Sequence, residues 1–268
     1  MASVQDDLNR TTWSKPSSQR FLDDARVFPG EQVALEIVKE HLLGRPILDL
    51  GVGTGRTIPL LLPLTSEYRG LDYLPKMVDV CRRKFPNVRV DVGDARFLTG
   101  YPDRHFGLVN FAYNGIDAVS NSDRALVLKA ARRVLAPGGM LFFSTLNLEG
   151  PEVRERPWRL RVGRTRNPLR YIARVSHAAL RVPIDIVQWA KVRAMADRGA
   201  GYEVAPLSAH HYSILAHYTT LDRQIAELAD AGFSRDVAVF ANSTGKPVDI
   251  FEDKSHVDWF HIIARPET

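Results

Sequence analysis

Cysteine is almost missing from this chain of 268 residues, with Cys81 as the single example. No disulfide can close within the chain, and cysteine-based zinc clusters are excluded. Long apolar runs are missing too, so no transmembrane helix is expected. The first residues, MASVQDDLNRTTWSKPSSQRF, have no apolar stretch and carry acids early, so neither a secretory signal nor a transit peptide is expected. The expected compartment is the cytoplasm. Internal repeats and low-complexity segments are lacking. What is there, 45% hydrophobic and 25% charged residues, is an ordinary globular mixture that excludes collagen-like, coiled-coil and wholly disordered chains. The length suits one large domain, or one domain with a sizeable insertion.

The net charge of +5 is concentrated. Residues 151–200 hold twelve Arg or Lys, among them Arg161, Arg164, Arg166, Arg170, Arg174 and Arg181, and four acids. That segment nets +8 and the rest of the chain −3, so basicity belongs to one stretch.

Residues 1–30 are polar and lack periodicity, which reads as a flexible or lid-like arm. EQVALEIVKEHLL (31–43) places Val33, Ile37 and Leu42 or Leu43 on one helical stripe. ILDLGVG is a buried strand stopped by glycines, and the pattern then repeats. YRGLDYL, VRVDVGD, FGLVNFAYN and MLFFSTLN are strands. PKMVDVCRRKF is a helix with Pro75 in its first turn and Cys81 in the core. SDRALVLKAARRVL is a helix capped at Ser122 or Asp123 that buries Leu126, Ala130 and Val134. Such alternation means an α/β fold, a doubly wound and mostly parallel sheet. Residues 151–205 interrupt it as a basic helical insertion: one helix up to Pro183, a second after it, and a mobile connection at ADRGAGYEV. Residues 206–268 return to the sheet. The expected division is an arm (1–30), a core (31–150), an insertion (151–205) and the rest of the core (206–268).

Ligands of open α/β sheets bind at the carboxyl ends of the strands, where strand order reverses. The first strand ends in Asp49-Leu50-Gly51-Val52-Gly53-Thr54-Gly55. Glycines there let a ligand approach the backbone. A dinucleotide fingerprint needs its third glycine at position 56, which is arginine, so a pyrophosphate ligand and a nicotinamide oxidoreductase are disfavoured. Asp72 ends the second strand, where a carboxylate can accept both ribose hydroxyls. Asp94 ends the third, where it can accept from an adenine amino group.

The ordered set ILDLGVGTG (47–55), GLDY with Asp72, VGDA with Asp94, and LAPGG (135–139) before a strand resembles the class I S-adenosylmethionine-dependent methyltransferases of small-molecule type. The resemblance is close over 31–150 and looser over 212–268. It implies a Rossmann-like seven-stranded sheet and S-adenosylmethionine as methyl donor. It further implies that Gly51, Val52 and Gly53 face the methionine moiety, and that Asp72 holds the ribose. Tyr73 and Met77 would flank the adenine, and Asp94 and Ala95 would read its edge. Asn110, Phe111 and Ala112 would close the site under the transferred methyl. Asp49 would order the glycine loop and the donor's amino group, or simply cap the following helix. Met77 also suits ordinary core.

A sulfonium methyl is already electrophilic, so in-line positioning is the main task, and no metal is expected. Asn110 stands where catechol-type enzymes need an acid for magnesium. The two prolines of amino-directed nucleic-acid enzymes are absent between Asn110 and Tyr113. Arsenic methylation needs several thiols. Candidate bases are Tyr113 and the group His210, His211, Tyr212, His217 and Tyr218; a strand over 211–218 would put His211 and His217 on one face. Arg170, Arg174, His177 and Arg181 form one helical stripe, read as a lid selecting an anionic acceptor, a face resting on anionic lipid, or an RNA contact. The RNA contact is disfavoured because no aromatic platform accompanies it. The expected function is methyl transfer to a small or medium organic acceptor, with nitrogen or oxygen favoured over carbon. The rivals are an RNA- or membrane-associated methyltransferase and a non-catalytic S-adenosylmethionine-binding subunit. Oligomeric state is left open.

Overall fold

A computed structural model describes every residue except 1, 2, 24, 25, 43, 160, 161, 163, 164, 166 and 268. Leu43, Arg161, Arg164 and Arg166 therefore lie outside the described residues. Seven strands form the expected sheet: β1 (Ile47–Leu50), β2 (Tyr68–Asp72), β3 (Arg89–Val92), β4 (Phe106–Phe111), β5 (Leu135–Asn147), β9 (Ala238–Ala241) and β10 (Trp259–Ala264). Their order is β3-β2-β1-β4-β5-β10-β9. All pair in parallel except β10, which is antiparallel to both β5 and β9. Strand order reverses between β1 and β4, so the tips of these two strands open a crevice.

Both faces of the sheet are covered, which explains why the strands read as continuous apolar runs. Ile47, Leu108, Met140, Phe142 and Ile263 pack on one side with α3 (Pro29–Leu42), α4 (Ile58–Leu61) and α5 (Pro75–Lys84). Leu48, Val109, Leu141, Phe143 and Ile262 pack on the other with α6 (Arg124–Val134) and α8 (Leu221–Asp230). Cys81 is fully buried among the first set.

Several expectations need correction. In α3 the buried stripe is Ala34, Val38 and Leu42, while Val33 is 37% exposed. In α6, Val127 and Leu128 face inward beside Ala130 and Val134, and Leu126 is exposed. Among the described residues the insertion carries one α-helix, α7 (Pro168–Arg193), which runs through Pro183. It lies on the surface with Val192 as its buried residue, so little packing depends on the interrupted turn. ADRGAGYEV is a hairpin, β6 (Asp197–Gly199) and β7 (Tyr202–Pro206), with Gly201 at φ +73° in its turn. β7 pairs with β8 (Leu215–Thr219), which joins the end of β5 at Leu146 and Asn147. Among the described residues the full sheet therefore has ten strands, with a three-stranded ribbon added to the expected seven.

The arm is not irregular: α1 (Val4–Trp13) and α2 (Pro16–Asp23) occupy it. A capping box between Ser3 and Asp6 starts α1. Its docking face is polar, which is why hydrophobic periodicity missed it. Gln5 donates to the carbonyls of Asp117 and Leu215, Asn9 donates to Leu215, and Thr12 donates to Ser213.

Beneath α1 lies a buried ion pair. The Asp117 carboxylate accepts from Arg124 (2.9 Å), the Thr145 hydroxyl (2.7 Å) and the Leu146 amide (2.7 Å). Arg124 also reaches Gln224 and Glu227, which ties α6 to α8. An arginine cannot shed its charge when its partner is lost. Asp117→Ala should therefore destabilise the fold by roughly 3–5 kcal/mol in urea unfolding.

Candidate functional site

A cavity of about 160 Å³ opens at the tips of β1, β2, β3 and β4. Gly51, Gly53, Asp72, Tyr73, Met77, Asp94, Ala95, Phe111 and Ala112 all line it, as the sequence predicts. The glycines are required by geometry. Gly51 and Gly53 have φ of +61° and +56°, and a Cβ on Gly51 would lie 2.7 Å from the Phe111 ring.

Asp72 fixes the centre of this wall. One oxygen accepts from the Gly53 amide and the other from the Leu74 amide, each at 2.9 Å. Burial pushes its pKa up to about 6 despite these two bonds. The remaining lone pairs leave room for further donors, which fits a ribose diol. Tyr73 lies under the Arg10 guanidinium, 5.0 Å from the ring centroid, and Met77 is buried against the same space. Asp94 is more heavily occupied. Arg96 donates to it from its backbone, Nε and a terminal nitrogen, and also pairs with Asp6 and Asp123. Burial works to raise the Asp94 pKa, but the Arg96 bonds prevail and hold it below the ordinary value.

Three predicted residues sit behind the wall. Asp49, Asn110 and Val52 do not line the main cavity. Asp49 accepts from Thr57, from the Tyr68 hydroxyl at 2.6 Å and from the Asn110 amide at 2.6 Å. It also borders a small space of about 30 Å³ with Val52, Arg56 and Tyr113. Burial still raises its pKa. It therefore braces the loop from below and holds the start of α4 through Thr57.

Tyr113 is the junction of the site. It borders the main cavity, the small space and a third cavity of about 240 Å³. Its φ is +56°, unusual for an aromatic residue, and Arg56 stacks on its ring at 4.9 Å while bridging to Glu31. Burial raises the phenol's pKa, so it stays protonated.

His211 and His217 do not share a face, because β8 begins only at Leu215. His211 has left-handed backbone after a short 3₁₀ turn, and its ring faces Asp185 of α7 at 3.3 Å. His217 is fully buried, stacked on Tyr202 and bonded to Asn121. Burial lowers its pKa, and it borders none of the three cavities at Tyr113. Arg174 and Arg181 line a separate cavity beside His211, away from the strand tips. Among the described residues no three His, Cys, Asp or Glu are grouped to hold a metal.

Sequence reasoning missed Arg10, Trp13 and Leu22, which α1 and α2 bring to the main cavity, and Arg56. The one available signal was the aromatic density of the arm: Trp13, Phe21 and Phe28.

Residues 47–139 match a family model described as a methyltransferase domain. Human arsenite methyltransferase is 32% identical over 145 residues, 46% of this chain and 38% of that protein. Demethylmenaquinone methyltransferase of Chlorobaculum tepidum is 30% identical over 114 residues, 41% of this chain and 46% of that protein. The chain thus spans less than half the length of these curated relatives. Among solved structures, an S-adenosylmethionine-dependent methyltransferase from Mesorhizobium loti aligns with a TM-score of 0.55 at 19% identity, covering 91% of this chain and 99% of that one. One from Clostridium acetobutylicum aligns with a TM-score of 0.58 at 12% identity, covering 96% and 97%. These likenesses show a shared fold.

If Asp72 must be ionised to hold ribose hydroxyls, donor affinity should rise with pH through about 6 and level off above about 7. Calorimetry with S-adenosylhomocysteine across that range should show the rise in the native protein. Asp72→Asn should flatten it and weaken binding by about tenfold or more.

Proposed function

From a chain whose residues 47–139 match a methyltransferase domain, we propose a class I S-adenosylmethionine-dependent methyltransferase that transfers the donor's methyl group to a small or medium organic acceptor. Nitrogen or oxygen is the proposed receiving atom. One observation carries this reading: the main cavity and the 240 Å³ cavity share the wall formed by Trp13, Tyr113, Asn114 and Ala118. Two chambers meeting at one wall suit a donor and an acceptor that must come into line.

Gly51, Gly53, Asp72, Tyr73, Met77, Ala95, Phe111 and Ala112 would hold the donor. Asp94 would act at its adenine edge together with Arg96. Asp49, Val52 and Asn110 support the loop from behind. Bound S-adenosylmethionine supplies an electrophilic methyl, so the chain's task is alignment, worth up to roughly 7–11 kcal/mol in favourable cases. Tyr113, protonated throughout, would not act as a base; its hydroxyl oxygen would accept from an N–H or O–H of the acceptor and so orient the lone pair. Residues 1–30 would wall both chambers, 31–150 and 206–268 would form the core, and 151–205 would border the second chamber at Glu152 and otherwise serve a separate role. The arsenite chemistry named for the human relative does not carry over, since the single thiol is buried in the core.

That separate role has its own observation. The surface helix α7 exposes Leu169 (76%), Leu180 (77%) and Val187 (70%) beside Arg170, Arg174 and Lys191. Apolar side chains interleaved with cations suit peripheral contact with an anionic lipid surface. Among the described residues no helix is long and apolar enough to cross a membrane.

Screening acceptors for release of S-adenosylhomocysteine should find turnover; donor binding with no turnover on any acceptor would point to a non-catalytic subunit. With an active acceptor, Tyr113→Phe should lower kcat by about tenfold at unchanged donor affinity. The protein should sediment with phosphatidylglycerol vesicles at low salt, and replacing Arg170, Arg174 and Arg181 by Gln should release it.

A further inference from the structure

The 240 Å³ cavity is a box of rings. Trp13, Phe21, Phe28, Tyr113 and Trp259 line it. They brace one another at steep angles. Trp259 stands 5.0 Å from Phe28 at 73° and 5.4 Å from Tyr113 at 78°, and Phe21 lies 6.2 Å from Tyr113 at 60°. His210 packs against Trp13 and Phe21, at 4.5 and 4.3 Å, and burial lowers its pKa to about 4, so the imidazole is neutral. Flat guests pack on such faces and edges through offset or T-shaped contacts. An apolar cavity of about 150 Å³ takes benzene, so this one has room for two fused rings.

Ions are poorly served here. No lysine or arginine is among the described residues of the lining, so an anion would find no cation. The carboxylates are already engaged. Asp117 is matched by Arg124, and Glu152 has partners of its own, the Ser208 hydroxyl among them. Asp258 accepts from Asn242, and burial raises its pKa, which favours the neutral acid. A cation would also meet repulsion. Arg56 already stacks on the Tyr113 ring at 4.9 Å, and the donor's sulfonium would face the same wall. A charge entering this box loses its water without gaining a counter-ion.

An orphaned acceptor stands at the wall shared with the main cavity. Asn114 borders both spaces, and its Oδ1 is buried without a hydrogen-bond partner. The residue itself is held in place: its φ is +59°, which asparagine tolerates, and its backbone N–H donates to the Ser144 hydroxyl at 2.7 Å. A buried carbonyl oxygen without a donor is costly, and a guest that brings an N–H or O–H relieves it.

Resting on the methyltransferase reading above, we propose that this cavity takes an uncharged acceptor built on one or two flat aromatic rings, and that Asn114 Oδ1 joins Tyr113 in receiving the N–H or O–H hydrogens of its nucleophilic group. The nucleophile's lone pair forms the bond to the methyl carbon as the carbon–sulfur bond breaks, and sulfur keeps the electron pair. The acceptor's proton passes to solvent. Methylated product and thioether are both neutral, so no charge is left in the box.

The test is calorimetry at neutral pH with three probes on one ring system, 2-naphthol, 2-naphthoate and 2-naphthylmethylammonium, each with and without S-adenosylhomocysteine. 2-Naphthol should bind at least about tenfold more tightly than either ion. It should also bind about tenfold more tightly than 2-methylnaphthalene, which has the same shape and no donor. Asn114→Gly keeps the backbone conformation accessible. It should cut that second preference by about fivefold and leave the 2-methylnaphthalene affinity in place, whereas a merely structural role would weaken both probes alike. Equal or tighter binding of either ion, no binding of 2-naphthol, a preference unmoved in Asn114→Gly, or an equal loss for both probes overturns the proposal. Heat from 2-naphthol with none from S-adenosylhomocysteine would instead sink the donor reading and leave this cavity a site for uncharged aromatic molecules.

Discussion

One buried carboxylate holds the crevice together. Asp72 at the tip of β2 reaches across to the Gly53 amide after β1 and back to the Leu74 amide that opens α5. The glycine loop can then take positive φ at Gly51 and Gly53 without wandering, because its amide is anchored to a neighbouring strand. From below, Asp49 fixes the same loop through Thr57, Tyr68 and Asn110. A ligand pocket placed between two such clamps needs little rearrangement on binding, and preorganisation of that kind is what alignment catalysis requires.

The central sheet was legible because it obeys two strong rules: strands buried on both faces are continuously apolar, and βα turns that admit a ligand carry glycine. ILDLGVG follows both, while the strand before Asp94 buries Val90 but exposes Val92 and follows only the second through Gly93. The residues that line the cavity at the strand tips were readable for the same reason, since strand tips fix where side chains point. What escaped had a different physical basis. α1 docks by amide-to-carbonyl bonds from Gln5 and Asn9, and no periodicity of apolar residues signals such an interface. The ribbon β6-β7-β8 is built from short strands, and the position of His217 depends on where β8 starts, which sequence marks poorly. The small errors in α3 and α6 are rotations by one position, Val33 for Ala34 and Leu126 for Val127, where an amphipathic face is wide enough to be misaligned.

Charge is partitioned rather than spread. Five of the twelve cations in residues 151–200 lie on α7, where Arg174 and Arg181 line a separate cavity, with Arg181 held by Asp185 and Arg193 by Glu203. The chambers at the strand tips are instead lined by rings, glycines and carboxylates, with Arg10 and Arg96 engaged by Tyr73 and Asp94. A net positive sequence therefore says little about the sign of the potential where chemistry would occur. Fields inside a crevice are set by the few groups that face it.

Cys81 has a practical consequence. It is fully buried on α5 against the glycine loop, and burial pushes its thiol up to about 12. Alkylating reagents react with the exposed thiolate, so the native fold offers them no target. A cysteine engineered at any surface position would be the sole reactive thiol, and a spin label or fluorophore could be attached there without first deleting the native one.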